Sequence, residues 1–127
     1  MTATANKLNY TELTNNLQQF YGTGYYHKIG FTPIVATDGV VYFAEKCECF
    51  WLLDLITLNL FRTHQQMGAL FLDIEVNKRH VVTITARQDK DMPVVWQKKQ
   101  RDLCAIIPVG TYKIWLMDNV LLLPSEY

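Results

Sequence analysis

The sequence predicts an α+β fold: a mostly antiparallel, twisted sheet packed against one buried central helix, with an additional amphipathic helix at the N-terminal end. Three observations lead there. A capped amphipathic segment opens the chain, a strongly apolar helical run fills its middle, and the second half alternates apolar and polar residues between turn signals. At 127 residues the chain has the length of a single domain, 1–127, with 1–7 expected to be flexible.

The first helix is signposted by Asn9 and, three residues on, Glu12, the two halves of a capping box. Leu8 and Leu13 stand where a hydrophobic staple would sit. Tyr10, Leu13, Leu17 and Phe20 recur at helical spacing, and Gly22 is a stop signal. From Thr23 the pattern turns to strand. Tyr25-Tyr26-His27-Lys28-Ile29 is rich in β-formers, and Gly30 and Pro33 follow as punctuation. Ile34-Val35 and Val40-Val41-Tyr42-Phe43 flank Thr37-Asp38-Gly39, which reads as the tight turn of a short hairpin. Glu45 to about Gln66 reads as the second helix, apolar on almost every side from Phe50 to Phe61, and therefore the expected centre of the fold. Gly68 ends it.

The remainder reads as an antiparallel meander. Leu70, Leu72, Ile74 and Val76 alternate with Phe71, Asp73 and Glu75. Asn77-Lys78-Arg79 turns the chain, and Val82, Ile84 and Ala86 return it. Asp89-Lys90-Asp91 leads into Val94-Val95-Trp96. Finally, Tyr112–Met117 and Val120–Leu123 flank Asp118-Asn119, a two-residue hairpin turn of the type that needs positive φ. The expected order is αββαββββ, with one further strand.

Composition narrows the function classes. Half of the residues are apolar and 19% are charged, a balance that builds a packed core and argues against disorder. The formal net charge is zero, so no overall field draws the chain to nucleic acid or to an anionic membrane. Met1–Lys7 carries one basic residue and no apolar run, so no signal peptide is expected. The longest apolar stretch, Phe50–Phe61, is broken by Asp54, Thr57 and Asn59. It falls short of the roughly 20 residues of a membrane span. Three cysteines (Cys47, Cys49, Cys104) form an odd set, and reduced thiols in the cytoplasm are the expectation.

Three blocks stand together: Thr37-Asp38-Gly39-Val40 running into Ala44-Glu45-Lys46, then Trp51-Leu52-Leu53-Asp54-Leu55-Ile56, and the terminal Leu121-Leu122-Leu123-Pro124-Ser125-Glu126-Tyr127. With this spacing the chain resembles a functionally uncharacterised family of small proteins of bacteria, their phages and plasmids, over most of its length. The resemblance implies one domain, a bacterial or mobile-element origin, and no activity to carry over. Cys47-Glu48-Cys49-Phe50 stands where small residues and an aromatic would be expected, and Ile106-Ile107-Pro108 where an acidic residue with Phe-Pro would be. The cysteines are therefore poor candidates for any shared site.

Residues with chemical potential are few. Glu45, beside Lys46, is expected at a strand-to-helix junction, and Asp54 lies inside the apolar helix, where a carboxylate needs a partner. Tyr25, Tyr26 or His27 could supply it. The bland reading of Asp54 is a polar anchor that sets helix register, and the sharper one is an acid–base site of Asp54, Glu45 and His27. Cys47 and Cys49 form a C-x-C pair without a second ligand pair, so no metal is assigned and no cofactor is expected. Gly22-Thr23-Gly24 follows a helix, so it is a connection and not a phosphate loop. The signatures of G-x-S-x-G, P-loop and H-E-x-x-H are missing from the sequence.

Lys98, Lys99 and Arg101 beside Trp96 could touch single-stranded nucleic acid, but lysines on an edge strand also deter sheet-to-sheet pairing. Tyr25 and Tyr26 would point to opposite faces of a strand, leaving one for a binding surface. The expectation is a non-enzymatic interaction or accessory module, with a protein partner or a homodimer as its target and no membrane. The alternatives are a small hydrolase-like enzyme and a weak nucleic-acid binder.

Overall fold

The first described helix starts at the capping box that the sequence marks. In the computed structural model, which describes residues 9–20, 24–102 and 105–127, helix α1 (Tyr10–Leu17) starts at Asn9. The Asn9 side chain accepts the Glu12 amide at 2.8 Å, and the Glu12 carboxylate accepts the Asn9 amide in return at 3.4 Å. Leu13 and Leu17 face the core. Leu8, Gly22 and Cys104, to which the sequence assigned a staple, a stop and a thiol, lie outside the described residues.

Strands β1 (Tyr26–Lys28) and β2 (Val35–Thr37) pair antiparallel. Here the structure corrects the sequence reading. Thr37-Asp38-Gly39 is not a hairpin turn, and Val40–Phe43 is not a strand: β2 runs straight into helix α2 (Asp38–Lys46). Thr37 caps that helix by accepting the Val40 amide at 3.4 Å, and Asp38 places a carboxylate in the first turn. Val40 and Phe43 are poor helix formers, but both are buried, and tertiary packing outweighs the few tenths of a kcal/mol of propensity at stake. Glu45 consequently lies near the end of α2 and not at a strand-to-helix junction. Helix α3 (Phe50–Met67) is a separate element after Cys47–Cys49, and it ends at Gly68 (φ 82°) as the sequence predicts.

Helix α3 is also not apolar all round in effect. Leu52, Leu53, Ile56, Leu60 and His64 are buried, whereas Phe50, Asp54 and Leu58, four residues apart, form an exposed stripe. Two exposed apolar residues in that stripe disguise it in the sequence.

The strands of the second half lie where the sequence places them: β3 (Leu70–Val76), β4 (Val81–Arg87), β5 (Val94–Arg101, longer than expected), β6 (Gly110–Met117) and β7 (Val120–Leu122). They do not form the expected meander, because β6 returns to pair with β3 and leaves β5 at the edge of the sheet. Asp118 and Asn119 turn β6 into β7 with φ of 51° and 62°. Among the described residues, the seven strands are ordered β1-β2-β7-β6-β3-β4-β5, and only the β2–β7 pair is parallel. The fold is thus α+β, a mostly antiparallel sheet with helices against one face.

The parallel β2–β7 pair is secured by the residues that follow each strand. The 3-10 turn Pro124–Glu126 brings the Glu126 carboxylate to the start of α2. There Oε1 accepts the Thr37 hydroxyl (2.5 Å) and the Leu123 amide (3.0 Å), and Oε2 accepts the Gly39 amide (3.1 Å). Glu126 is buried and meets the orphan donors and positive end of the helix. Gly39 makes this approach possible, because a Cβ there would stand 2.6 Å from Leu123 Cδ1 and 2.7 Å from Glu126 Oε1.

Glu126→Ala strands three buried donors and is expected to cost on the order of 3 kcal/mol. Gly39→Ala should cost a similar amount by displacing the same carboxylate. In urea denaturation the double variant should lose clearly less than the sum of the singles. Additive losses would show that Glu126 and the α2 N-terminus are energetically separate.

Candidate functional site

Register divides the sheet into two unequal faces. Leu72, Ile74, Ile84, Ile114, Leu116 and Leu121 point one way and are all buried beneath the helices. Tyr112, on the same side, stacks against Tyr10 of α1 and Phe43 of α2. The opposite face is open. Paired residues share a face, so Met117↔Val120↔Val35 and Trp115↔Phe71 continue one surface across four strands, and Tyr26 and Lys28, paired to Thr37 and Val35, extend it to a fifth, the edge. Phe71, Trp115, Met117, Val120 and Val35 are each only half-buried.

The open face has an apolar half and a polar half. Phe71 and Trp115 meet edge to face with ring centroids 5.2 Å apart, and the exposed Tyr127 continues the row at 5.5 Å from Trp115. Towards β4 the character changes. Asp73 receives Arg87 at 3.5 Å and Lys113 at 3.9 Å, and Gln97 donates to Thr85 at 3.0 Å. These exposed ion pairs contribute little stability. They do make the polar half self-satisfied, while the aromatic half has no such partners.

The residues singled out in the sequence are not brought into one site. Asp54 is exposed on α3, standing over Gly30, where a Cβ would meet its Oδ1 at 3.3 Å. Its solvent contact removes the need for the buried partner that the sequence reading required. Glu45 is exposed near the end of α2. His27 instead bonds Asp38: its Nε2–H donates to Oδ1 at 2.8 Å, while Oδ2 accepts the Gly24 and Tyr25 amides at 3.1 and 3.3 Å. The His27 bond above all, with the two amides, holds the Asp38 carboxyl below its ordinary range, against a smaller opposing effect of desolvation. This arrangement clips the chain before β1 to the start of α2.

Trp96, Lys98, Lys99 and Arg101 lie on β5, the outer strand of the sheet. Alternation separates them. Trp96 and Lys98, opposite Ala86 and Ile84, point to the helix side, and Lys99 and Arg101, opposite Thr83 and Val81, point to the open face. Tyr25 and Tyr26 are both exposed, at 75% and 62%.

Several buried polar groups went unnoticed in the sequence. His64 is buried with both ring nitrogens engaged: Nδ1–H donates to the Gly68 carbonyl at 2.6 Å, and Nε2 accepts the Asn119 amide at 3.0 Å. A histidine one turn before a terminating glycine was the available signal. Buried Asp102 accepts the Ile106 and Ile107 amides at 3.1 and 3.0 Å. Cys47 and Cys49, which the sequence did single out, are free and buried, and the neighbouring Cys47 thiol, with burial, raises the Cys49 thiol far above its usual value. Each of these groups is occupied by a structural neighbour. Among the described residues no three of His, Cys, Asp and Glu gather as a metal site, and no helix is long and apolar enough to cross a membrane. A groove of about 360 Å³ lies between α1 and β6, bordered by Tyr10, Leu17, Phe43, Tyr112 and Leu123. The Tyr10 hydroxyl already donates to the Thr111 carbonyl, and Ser125 to that of Leu17.

The chain belongs to DUF6876, a family of unknown function, whose match spans residues 11–127. No curated protein and no solved structure matches it.

Because the folded-state pKa of Asp38 is lowered, its clip contributes stability above the ordinary Asp value of about 3.9 and loses it as pH falls through the lower folded value. Urea midpoints of wild type and Asp38→Asn should therefore differ at neutral pH and converge in acid. A gap independent of pH would show that the carboxylate charge plays no part. In a Cys104→Ser background, Cys47 and Cys49 should resist a disulfide reagent at neutral pH until the protein unfolds. Rapid labelling of the folded protein would contradict their burial.

Proposed function

We propose that the chain is a non-enzymatic interaction module whose open sheet face docks a protein partner, and that it serves a bacterium or a mobile genetic element as an accessory protein. One observation carries this reading. The half of the sheet face bearing Tyr26, Val35, Val120, Met117, Trp115 and Phe71 is apolar and aromatic, and no described element covers it. Aromatic residues with methionine are enriched at protein interfaces, and a contiguous apolar surface marks such sites on soluble domains.

The alternatives have less support. An acid–base enzyme would need Asp54 and Glu45 near His27, and His27 is engaged by Asp38 instead. A nucleic-acid binder would need its basic run and tryptophan on one surface, and alternation along β5 splits them.

Affinity capture from bacterial lysate with wild type, Phe71→Lys and Lys99→Glu tests the reading. A protein retained by wild type and by Lys99→Glu, and lost by a folded Phe71→Lys, is the expected outcome. Oligonucleotide binding that is steeply salt-dependent and abolished by Lys98→Glu with Lys99→Glu would replace it with the nucleic-acid reading.

A further inference from the structure

The two edges of the sheet are treated differently. The β5 edge is eight residues long but carries Lys98, Lys99 and Arg101, and its ladder to β4 is interrupted by a bulge between Ala86 and Arg87. Charges and bulges are the usual means of keeping an edge from pairing with another chain. The β1 edge has no bulge, one lysine, and three of the most exposed aromatics of the molecule around it: Tyr25, Tyr26 and Phe31, the last fully exposed.

Hydrogen-bond parity shows what β1 offers. The Val35 amide donates to the Asn119 carbonyl at 2.9 Å, so the peptide groups of Val35 face β7. Those of its neighbour Ala36 must then face β1, where Ala36 is opposite His27. His27 therefore spends its N–H and C=O on β2. By the same alternation the N–H and C=O of Tyr26 and of Lys28 point away from the sheet, and among the described residues no strand lies beyond them. The inward turn of the Tyr25 amide, towards Asp38, has the parity this requires.

We propose that the β1 edge pairs with the β1 edge of a second copy of this chain, antiparallel about a two-fold axis at His27, joining the two sheets into one. The proposal deepens the interaction-module reading by naming one partner and the edge that receives it. The register is self-complementary. Tyr26 falls opposite Lys28 of the second copy and Lys28 opposite its Tyr26, so both outward residues of each strand form hydrogen-bonded pairs, four bonds in all. On the open face each lysine ammonium then meets a tyrosine ring across the junction, and lysine never faces lysine. Only the two His27 side chains meet on the axis, each already bound to its own Asp38 carboxylate. Tyr25 and Phe31 flank the strand and gain cover from the second copy. Three residues per strand make a small interface, so the dimer forms reversibly with concentration and is not permanent.

Light scattering across a concentration series tests this. The wild-type mass should rise from 14.8 kDa towards twice that value. Lys28→Pro and Tyr26→Pro each remove an outward N–H and leave the β1–β2 ladder intact, because proline is tolerated at an edge position whose N–H faces solvent. Each should keep the wild-type far-ultraviolet spectrum and self-associate at least about tenfold more weakly. His27→Cys with Cys104→Ser puts a thiol on the axis and should cross-link copy to copy under mild oxidation. A wild type that stays monomeric at every concentration overturns the proposal, as does a dimer indifferent to both prolines or a His27→Cys protein that stays uncross-linked. Phe71 lies outside this contact. Phe71-dependent capture of another protein by a monomer would sink the dimer and spare the interaction-module reading, and loss of that capture with a proline-sensitive dimer would do the reverse.

Discussion

The fold depends on one buried carboxylate. Glu126 reaches from the turn after β7 to the first residues of α2, accepting the Gly39 and Leu123 amides and the Thr37 hydroxyl. A buried charge is costly unless its lone pairs are met. Here three donors and the positive end of a helix meet them at once. The consequence reaches well beyond the clasp. The β2–β7 pair is the one parallel contact of the sheet, and it registers only two residue pairs. So short a ladder would hold the β1–β2 unit weakly. With Glu126 anchoring α2 from one side and Asn119 receiving Val35 from the other, that unit is tied to the rest of the sheet at two points. Everything at the β1 end of the molecule inherits its position from this arrangement.

A second economy runs through the interior. His64 joins the end of α3 to the β6–β7 turn, Asp102 closes the chain after β5, and the Cys47 and Cys49 thiols are buried in the core. These are the residue types from which active sites are made, and here each is used up in holding backbone or buried in the core. His64 is the clearest instance, since both of its ring nitrogens are engaged by backbone groups.

Period-2 alternation made the second half of the molecule legible. Leu70 to Val76, Val82 to Ala86 and the Asp118-Asn119 turn are where the sequence places them, because one face is buried and a slip of one residue would invert it. The same holds for the Asn9–Glu12 cap, whose chemistry is local. The errors share a different cause. Asp38-Gly39 reads as a hairpin turn when its neighbours alone are considered, but Gly39 is there to admit a carboxylate from the far end of the chain, 87 positions away. Asp54 reads as buried because Phe50 and Leu58, on the same exposed stripe, are apolar. No local pattern distinguishes an apolar residue packed in a core from one left at the surface. Two of the three blocks that carried the family resemblance, Thr37–Val40 and Pro124–Tyr127, turn out to be the two halves of the Glu126 clasp.

That last point bears on why the outer surface looks as it does. Burying Glu126 places Tyr127 on the open face against Trp115, so the structural clasp and the aromatic row are consecutive residues with opposite fates. A sheet of seven strands has two faces to cover, and three helices cover one. A domain of this length could have made the second face polar throughout, as it does around Asp73, Lys113 and Arg87. Instead the polar treatment stops at Asp73 and Lys113, with Phe71 and Trp115 next to them on the same two strands, and the blunting charges of the edge are placed on β5. Both departures fall on the same side of the molecule, the side positioned by the Glu126 clasp. An apolar face and an unblunted edge are separately liabilities for a soluble chain. Their coincidence at one end, while the other end is protected on both counts, is what supports the proposed docking role.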